Sequence, residues 1–195
     1  YNYYLCYLIL IVDYMFVFGD TTERLYREYI DGEIYRIGSF VNNMNHPIGE
    51  CVRDVVYVLQ FKITGKDKAY RYKTAAGRKI TWDDCYSYND KIIKYLREYC
   101  ANNNMTLSIL GRSKLVSEQV EEEKYINKII PEDCYEYIPS KQKYTSYDEL
   151  LRSKIIVVMD STLGYEMLAR RKRVVYLGVR EETLGESSRF GWPDL

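Results

Sequence analysis

Residues 160–169 read DSTLGYEMLA, between a run of pure hydrophobics (IIVVM, 155–159) and a basic cluster (RRKR, 170–173). Two hydroxyls, a glycine and a carboxylate at a strand-to-helix junction suit one kind of chemistry. A helix N-terminus offers N–H groups that have no partner inside the helix, and the positive end of its dipole favours a phosphate. Ser161 and Thr162 can donate hydroxyl hydrogen bonds, and Gly164, without a Cβ, lets a ligand or a neighbouring backbone approach. Glu166 lies four residues after Thr162, on the same helix face one turn deeper. A carboxylate accepts two parallel hydrogen bonds, which suits the vicinal hydroxyls of a ribose. The same residues also fit a plain helix cap, with Ser161 or Thr162 as N-cap and Glu166 offsetting the dipole.

Three further stretches carry candidate groups. ILGR (109–112) ends a second apolar run. There Gly111 opens a turn and Arg112 can reach a phosphate with its planar fork, or simply stand as a surface arginine. Residues 62–86 form a long polar stretch rich in lysine and arginine, beginning at Lys62. It reads either as a solvated charge run or as a mobile loop beside an anionic substrate. RFGWP (189–193) places Arg189 next to an aromatic pair that can cover a base or bury itself against the domain. Gly111, Lys62 and Arg189 are the candidate cleft-lining residues.

The elements that must position these groups alternate. Strands are expected at 13–19, 33–38, 55–61, 105–111, 134–139, 154–160 and 174–178, and helices at 88–100, 117–130 and 163–171. A further helix is expected from Asp20, opened by a D-x-x-E capping box with Glu23 and ended by Asp31–Gly32. Its apolar face would be Leu25, Tyr26, Tyr29 and Ile30. Ser146 and Glu149 form a second expected capping box. Helices alternating with strands that lack in/out alternation predict an α/β fold, a Rossmann-like parallel sheet with helices on both faces. Residues 1–38 read as the tail of one such domain, 39–54 as a polar linker, and 55–195 as a second, incomplete domain.

Composition removes several function classes. The 195 residues carry 28 basic and 28 acidic side chains, so no global charge favours nucleic acid. Five cysteines, an odd number without metal-ligand spacing, predict reduced thiols and a cytoplasmic setting. The single histidine, His46, has no companion at ligand spacing, so no metal site is expected. The apolar stretch Tyr3–Phe18 is short for a membrane span and is interrupted by Asp13. It is expected to form two buried strands, or a strand and a helix end, covered by upstream sequence. The first residue is Tyr1, and the chain is expected to be a fragment of a longer protein.

The order of elements resembles the C-terminal half of a GT-B glycosyltransferase with the end of its N-terminal half attached. SYDELLRSKIIVVMDSTLGYEMLARRKRVVYLG (146–178) is similar to the donor-site segment of that superfamily. VFG…GEIYRIGSFVNN, LSILGR, DSTLGYEMLARRKRV and FGWP resemble surface carbohydrate (polysaccharide) biosynthesis proteins, over about residues 13–193. The resemblance implies a nucleotide-sugar donor as substrate, with no separate cofactor, and a glycan or lipid-linked acceptor. It puts Ser161, Thr162 and the backbone of Leu163 and Gly164 near the donor diphosphate, and Glu166 on the ribose. It allows peripheral association with the inner membrane face. Arg171 stands where relatives often carry glycine. No catalytic base is assigned, since the missing half usually supplies it. The alternatives are a nucleotide-sugar 2-epimerase or a CDP-alditol phosphotransferase on the same fold, or a non-catalytic binding module.

Overall fold

The computed structural model describes residues 10–44, 49–62, 66–73, 77–141, 144–159 and 161–178. The chain forms two compact units that divide at Asn45–His46.

In the first unit, β1 (Leu10–Val17) and β2 (Ile30–Arg36) form a parallel pair, linked through α1 (Asp20–Tyr26) and followed by the helical turn α2 (Phe40–Asn43). The expected capping box does not form: Gly19 is the N-cap and no side chain caps it. Asp20 instead binds Arg36 at 2.5 Å, and Glu23 binds Arg36 at 3.1 Å and also Arg27. Charge-assisted bonds to guanidinium outcompete a backbone N–H for these carboxylates. Asp31–Gly32 does not end the helix. The chain turns at 27–29, and the pair lies inside β2, where the register slips between Ile11 and Tyr14. A Cβ at Gly32 would strike the Val12 carbonyl. The expected apolar helix face is also absent, because α1 stops at Tyr26 and buries none of its residues. Of the expected buried stretch Tyr3–Phe18, residues 3–9 lie outside the described residues. The rest carries the strand β1, which is not buried as expected: Ile11 is 83% exposed, Tyr14 and Phe16 are exposed as well, and Val17 is buried. One seven-residue helix cannot cover both faces of a parallel pair.

The second unit is built on β3 (Arg53–Val58), where three valines and Tyr57, β-branched and aromatic residues that favour strands, form a run buried on both faces. The chain then forms an antiparallel hairpin of β4 (Tyr72–Lys73) and β5 (Lys79–Ile80), and the short α3 (Trp82–Tyr86). The described residues of the expected long polar loop thus include a strand pair and a helix, and α3 opens with a capping box between Thr81 and Asp84. There follow α4 (Tyr88–Asn102), β6 (Leu107–Leu110), α5 (Val116–Asn127), β7 (Glu136–Ile138), α6 (Thr145–Leu151), β8 (Ser153–Val158), α7 (Thr162–Ala169) and β9 (Arg173–Tyr176). A single 3-10 turn, Glu132–Cys134, precedes β7.

All five main strands are parallel, in the order β7-β6-β3-β8-β9. Val55, Tyr57 and Leu59 point to one face, where they share a core with Ile92, Ile93 and Leu96 of α4 and Ile126 of α5. Val56 and Val58 alternate to the other face. There Leu150, Leu151 and Met167 of α6 and α7 are buried. Each such side chain contributes about 1.5–3 kcal/mol on burial. The fold class is thus α/β and Rossmann-like with helices on both faces, as its sequence predicts. The central strand is β3, and β8, the strand before DSTLGYE, is its inner neighbour. The expected Ser146–Glu149 box is absent. Tyr144 is the N-cap of α6, and Glu149 is taken by Arg53.

Candidate functional site

Strand order decides where a ligand can enter. From β3 the chain steps outward through β6 to β7, then returns to β8 on the opposite side of β3. The order reverses between β3 and β8, and open α/β sheets hold ligands in the crevice beyond the carboxyl ends at such a point. Neighbouring strands lie about 4.8 Å apart, so the turns after β6, β3 and β8 leave the sheet within about 10 Å of one another. Arg112, Lys62 and the Ser161–Thr162 pair thereby reach one edge of one sheet. Asp160, Arg189 and His46 lie outside the described residues.

At the start of α7, Ser161 is the N-cap in extended conformation, yet its hydroxyl makes no cap hydrogen bond. Thr162 is exposed and Leu163 half-buried. Gly164 donates its N–H to the Ser161 carbonyl at 3.0 Å. The glycine is buried against the sheet. A Cβ there would lie 2.7 Å from Tyr176 Cζ and 2.7 Å from Val158 Cγ2, and closer still to the Tyr176 hydroxyl. Its missing side chain is what lets α7 sit down on β8 and β9. Glu166 is half-buried one turn along and accepts a hydrogen bond from the hydroxyl of the buried Tyr147 on α6. Tyr147 was not legible as a site residue: it is one of 22 tyrosines, in the apolar stripe of a short helix.

The turn after β6 is held from below. Gly111 donates to the Ile138 carbonyl at 2.9 Å, and a Cβ on it would come within 2.5 Å of Glu122 Oε2 and 2.8 Å of Tyr137 Cζ. Glu122 of α5 is fully buried. It accepts from the backbone N–H of Arg112 (3.2 Å) and of Ser113 (3.0 Å), and from the hydroxyls of Ser113 (2.8 Å) and Tyr137 (2.6 Å). Burial first, then the bond to Glu122, pushes the Tyr137 phenol up. Arg112 itself is exposed. After β3, the Lys62 carbonyl accepts from Trp82 Nε1 at 2.7 Å, and the Gln60 carbonyl from Asn89 Nδ2 at 2.9 Å. Asn89 is fixed in turn by the buried Tyr57 hydroxyl at 2.5 Å. The Lys62 side chain is exposed.

The opposite, amino edge is closed by ion pairs. Arg53 binds Glu136 at 2.7 Å and also Glu149. Asp54 binds Lys154 at 2.6 Å and the Thr106 N–H at 2.9 Å. The bonds from Lys154 and Thr106 hold the Asp54 carboxyl down at about 2. Among the described residues, no group of three or more His, Cys, Asp or Glu is placed to hold a metal ion. No helix among them is long and apolar enough to cross a membrane.

No curated protein and no solved structure gives a significant match to the chain. A family model does, and its match over residues 9–195 takes in every described element, from β1 to β9. The chain belongs to the family described as "putative O-antigen biosynthesis protein".

Proposed function

We propose that the second unit holds the nucleotide-activated sugar of a glycosyltransferase that builds surface polysaccharide. The observation that carries this reading is the start of α7 beside the switch point. Ser161 occupies the N-cap position without using its hydroxyl as a cap, and Glu166 stands one turn along with Tyr147 bonded to it. The N–H groups of the first helical turn have no partners within the helix, so those of Thr162 and Leu163 face an incoming anion. The diphosphate of the donor sits on these groups and on the Ser161 and Thr162 hydroxyls. Arg112 and Lys62 bring positive charge to the same edge. Tyr147 orients Glu166 toward the ribose.

The reaction is displacement at the anomeric carbon. The acceptor hydroxyl oxygen forms a bond to that carbon while the bond from carbon to the diphosphate oxygen breaks. The diphosphate leaves with the bonding pair, and the developing charge is stabilised by donors already in place. The acceptor proton passes to a base, a role given to no residue of this chain.

The test is nucleotide binding by the Glu166→Ala and Tyr147→Phe variants, read by calorimetry and by thermal shift with a panel of nucleoside diphosphates and nucleotide sugars. Hydrogen bonds to a charged group are worth about 1.5–3 kcal/mol, or roughly 10- to 150-fold in affinity. Glu166→Ala should lose about that much, and Tyr147→Phe a smaller part of it. Unchanged affinity in a folded Glu166→Ala protein removes Glu166 from the site. If no nucleotide stabilises the parent protein, the donor reading fails altogether.

A further inference from the structure

We propose that the β4–β5 hairpin is a contact site for an anionic lipid surface. Residues 66–82 carry six Lys and Arg against a single carboxylate, Asp67, in a chain whose 28 basic and 28 acidic residues balance as a whole. The positive charge is therefore local, and it is concentrated on one small substructure. The two-stranded sheet of this hairpin is not paired with the main sheet.

The cations are displayed on an aromatic base. Trp82 packs edge-on against Phe61 at 5.6 Å and tilted against Tyr86 at 5.0 Å. Lys66 Nζ lies 5.1 Å over the Trp82 ring, Arg71 5.0 Å over Tyr86, and Lys79 5.5 Å over Tyr70. A ring face holds a cation in place without neutralising it, and the apolar stem is covered while the head stays wet. Lys66, Lys68, Arg78 and Lys79 are exposed. The carboxylates nearby belong to α3. Asp84 is occupied by the Thr81 N–H and hydroxyl and lies 3.9 Å from Arg78, while Asp83 is exposed.

Exposed cations spread over a hairpin suit an extended array of phosphates, where each contributes separately. Each lysine or arginine close to an anionic bilayer strengthens binding about fivefold, and salt screens the attraction within a Debye length. Phosphate is the chemistry recognised, and the lipid headgroup is its source here. Lys62, assigned to the donor edge, is left out of the hairpin set, so the lipid contact and the donor site can fail separately.

The experiment is co-sedimentation of the full chain with vesicles of phosphatidylcholine alone or mixed with phosphatidylglycerol, at low and high salt. The parent should bind only the mixed vesicles, and release them at high salt. Lys66→Glu/Lys68→Glu/Lys79→Glu should weaken binding by about a hundredfold or more. The neutral set Lys66→Gln/Lys68→Gln/Lys79→Gln keeps the test open if charge reversal unfolds the hairpin, and should show a smaller loss in the same direction. A control reversal at Lys91, Lys94 and Lys128, exposed elsewhere on the same unit, should bind nearly as the parent does. Three results overturn the proposal: equal binding to neutral vesicles, an equal loss in the control, or no loss in either hairpin variant. Affinity for inorganic pyrophosphate without vesicle binding also overturns it, by making the hairpin a site for free phosphate.

Discussion

Substituting alanine at Gly164 probes the junction on which the proposed donor site rests. A Cβ built there falls 2.7 Å from Tyr176 Cζ and from Val158 Cγ2, and nearer still to the Tyr176 hydroxyl. All three contacts lie well inside van der Waals distance, and two involve a tyrosine ring that cannot bend away. Overpacking of this kind costs about 1–3 kcal/mol, and the rigid partner puts Gly164→Ala in the upper half of that range. Alanine regains about 1 kcal/mol of helix propensity over glycine, leaving a net loss of about 1–2 kcal/mol. For a domain of this size that lowers Tm by roughly 2–8 °C. Tyr176→Phe removes the closest atom, so the alanine penalty should shrink by about half in that background, a coupling that a double-mutant cycle in urea can resolve. Because α7 must rise to accept the methyl, nucleotide affinity should fall with stability in Gly164→Ala and recover in the double variant. Equal penalties in both backgrounds, or a stabilised Gly164→Ala, refute the steric account.

Two other substitutions test particular backbone and charge effects. Arg171 adopts a left-handed conformation (φ 59°) at the end of α7, where its N–H bonds Leu168 O at 2.8 Å and the Lys172 N–H bonds Met167 O at 3.0 Å. This is the Schellman geometry that favours glycine, so Arg171→Gly should stabilise by about 1 kcal/mol in urea unfolding; a loss would mean that the arginine side chain holds the turn. Asp54 has its carboxyl depressed to about 2 by Lys154 and Thr106. Its contribution is present above the unfolded value near 4 and is lost as pH falls from about 4 through about 2. Allowing for the exposure of Lys154, Asp54→Asn should cost on the order of 1 kcal/mol at neutral pH and flatten the stability profile in that window. An unchanged acid limb would remove Asp54 from the account.

The elements most legible in sequence were those whose pattern is local and continuous. VVYVLQF leads directly to β3, and the 3.6-residue spacing of Ile92, Ile93 and Leu96 leads to α4. The helix ends at Asn102, where Asn104 takes a left-handed conformation (φ 52°), as an asparagine cluster allows. Illegible features depend on partners far away in the chain. Asp20 and Glu149 have the spacing of caps, but Arg36 and Arg53 reach them first. The true box, Thr81 with Asp84, lay hidden in a stretch read as charged loop. At the site, the hydroxyl-rich turn and the carboxylate can be read in order along α7. The two side chains that fix the neighbouring pieces cannot, because Tyr147 and Glu122 meet their partners only after the helices pack.

The two edges of the sheet use their charges in different ways. At the amino edge the charged groups of β3 are spent on neighbouring elements: Arg53 joins β7 and α6, and Asp54 joins β8 and the residue before β6. At the carboxyl edge the fixing groups act on backbone instead. Glu122 holds the N–H groups of Arg112 and Ser113, Asn89 holds the Gln60 carbonyl, and Trp82 holds the Lys62 carbonyl. Among the described residues neither Arg112 nor Lys62 enters an ion pair, and both are exposed. Exposed ion pairs add only about 0–1 kcal/mol, so each backbone fastening taken alone also fits a loop held for stability. Fixing the backbone and leaving the cation outward lowers the reorganisation needed when an anion arrives. That arrangement recurs on two adjacent strands beside the start of α7, and it is what the proposed anion site requires of this edge.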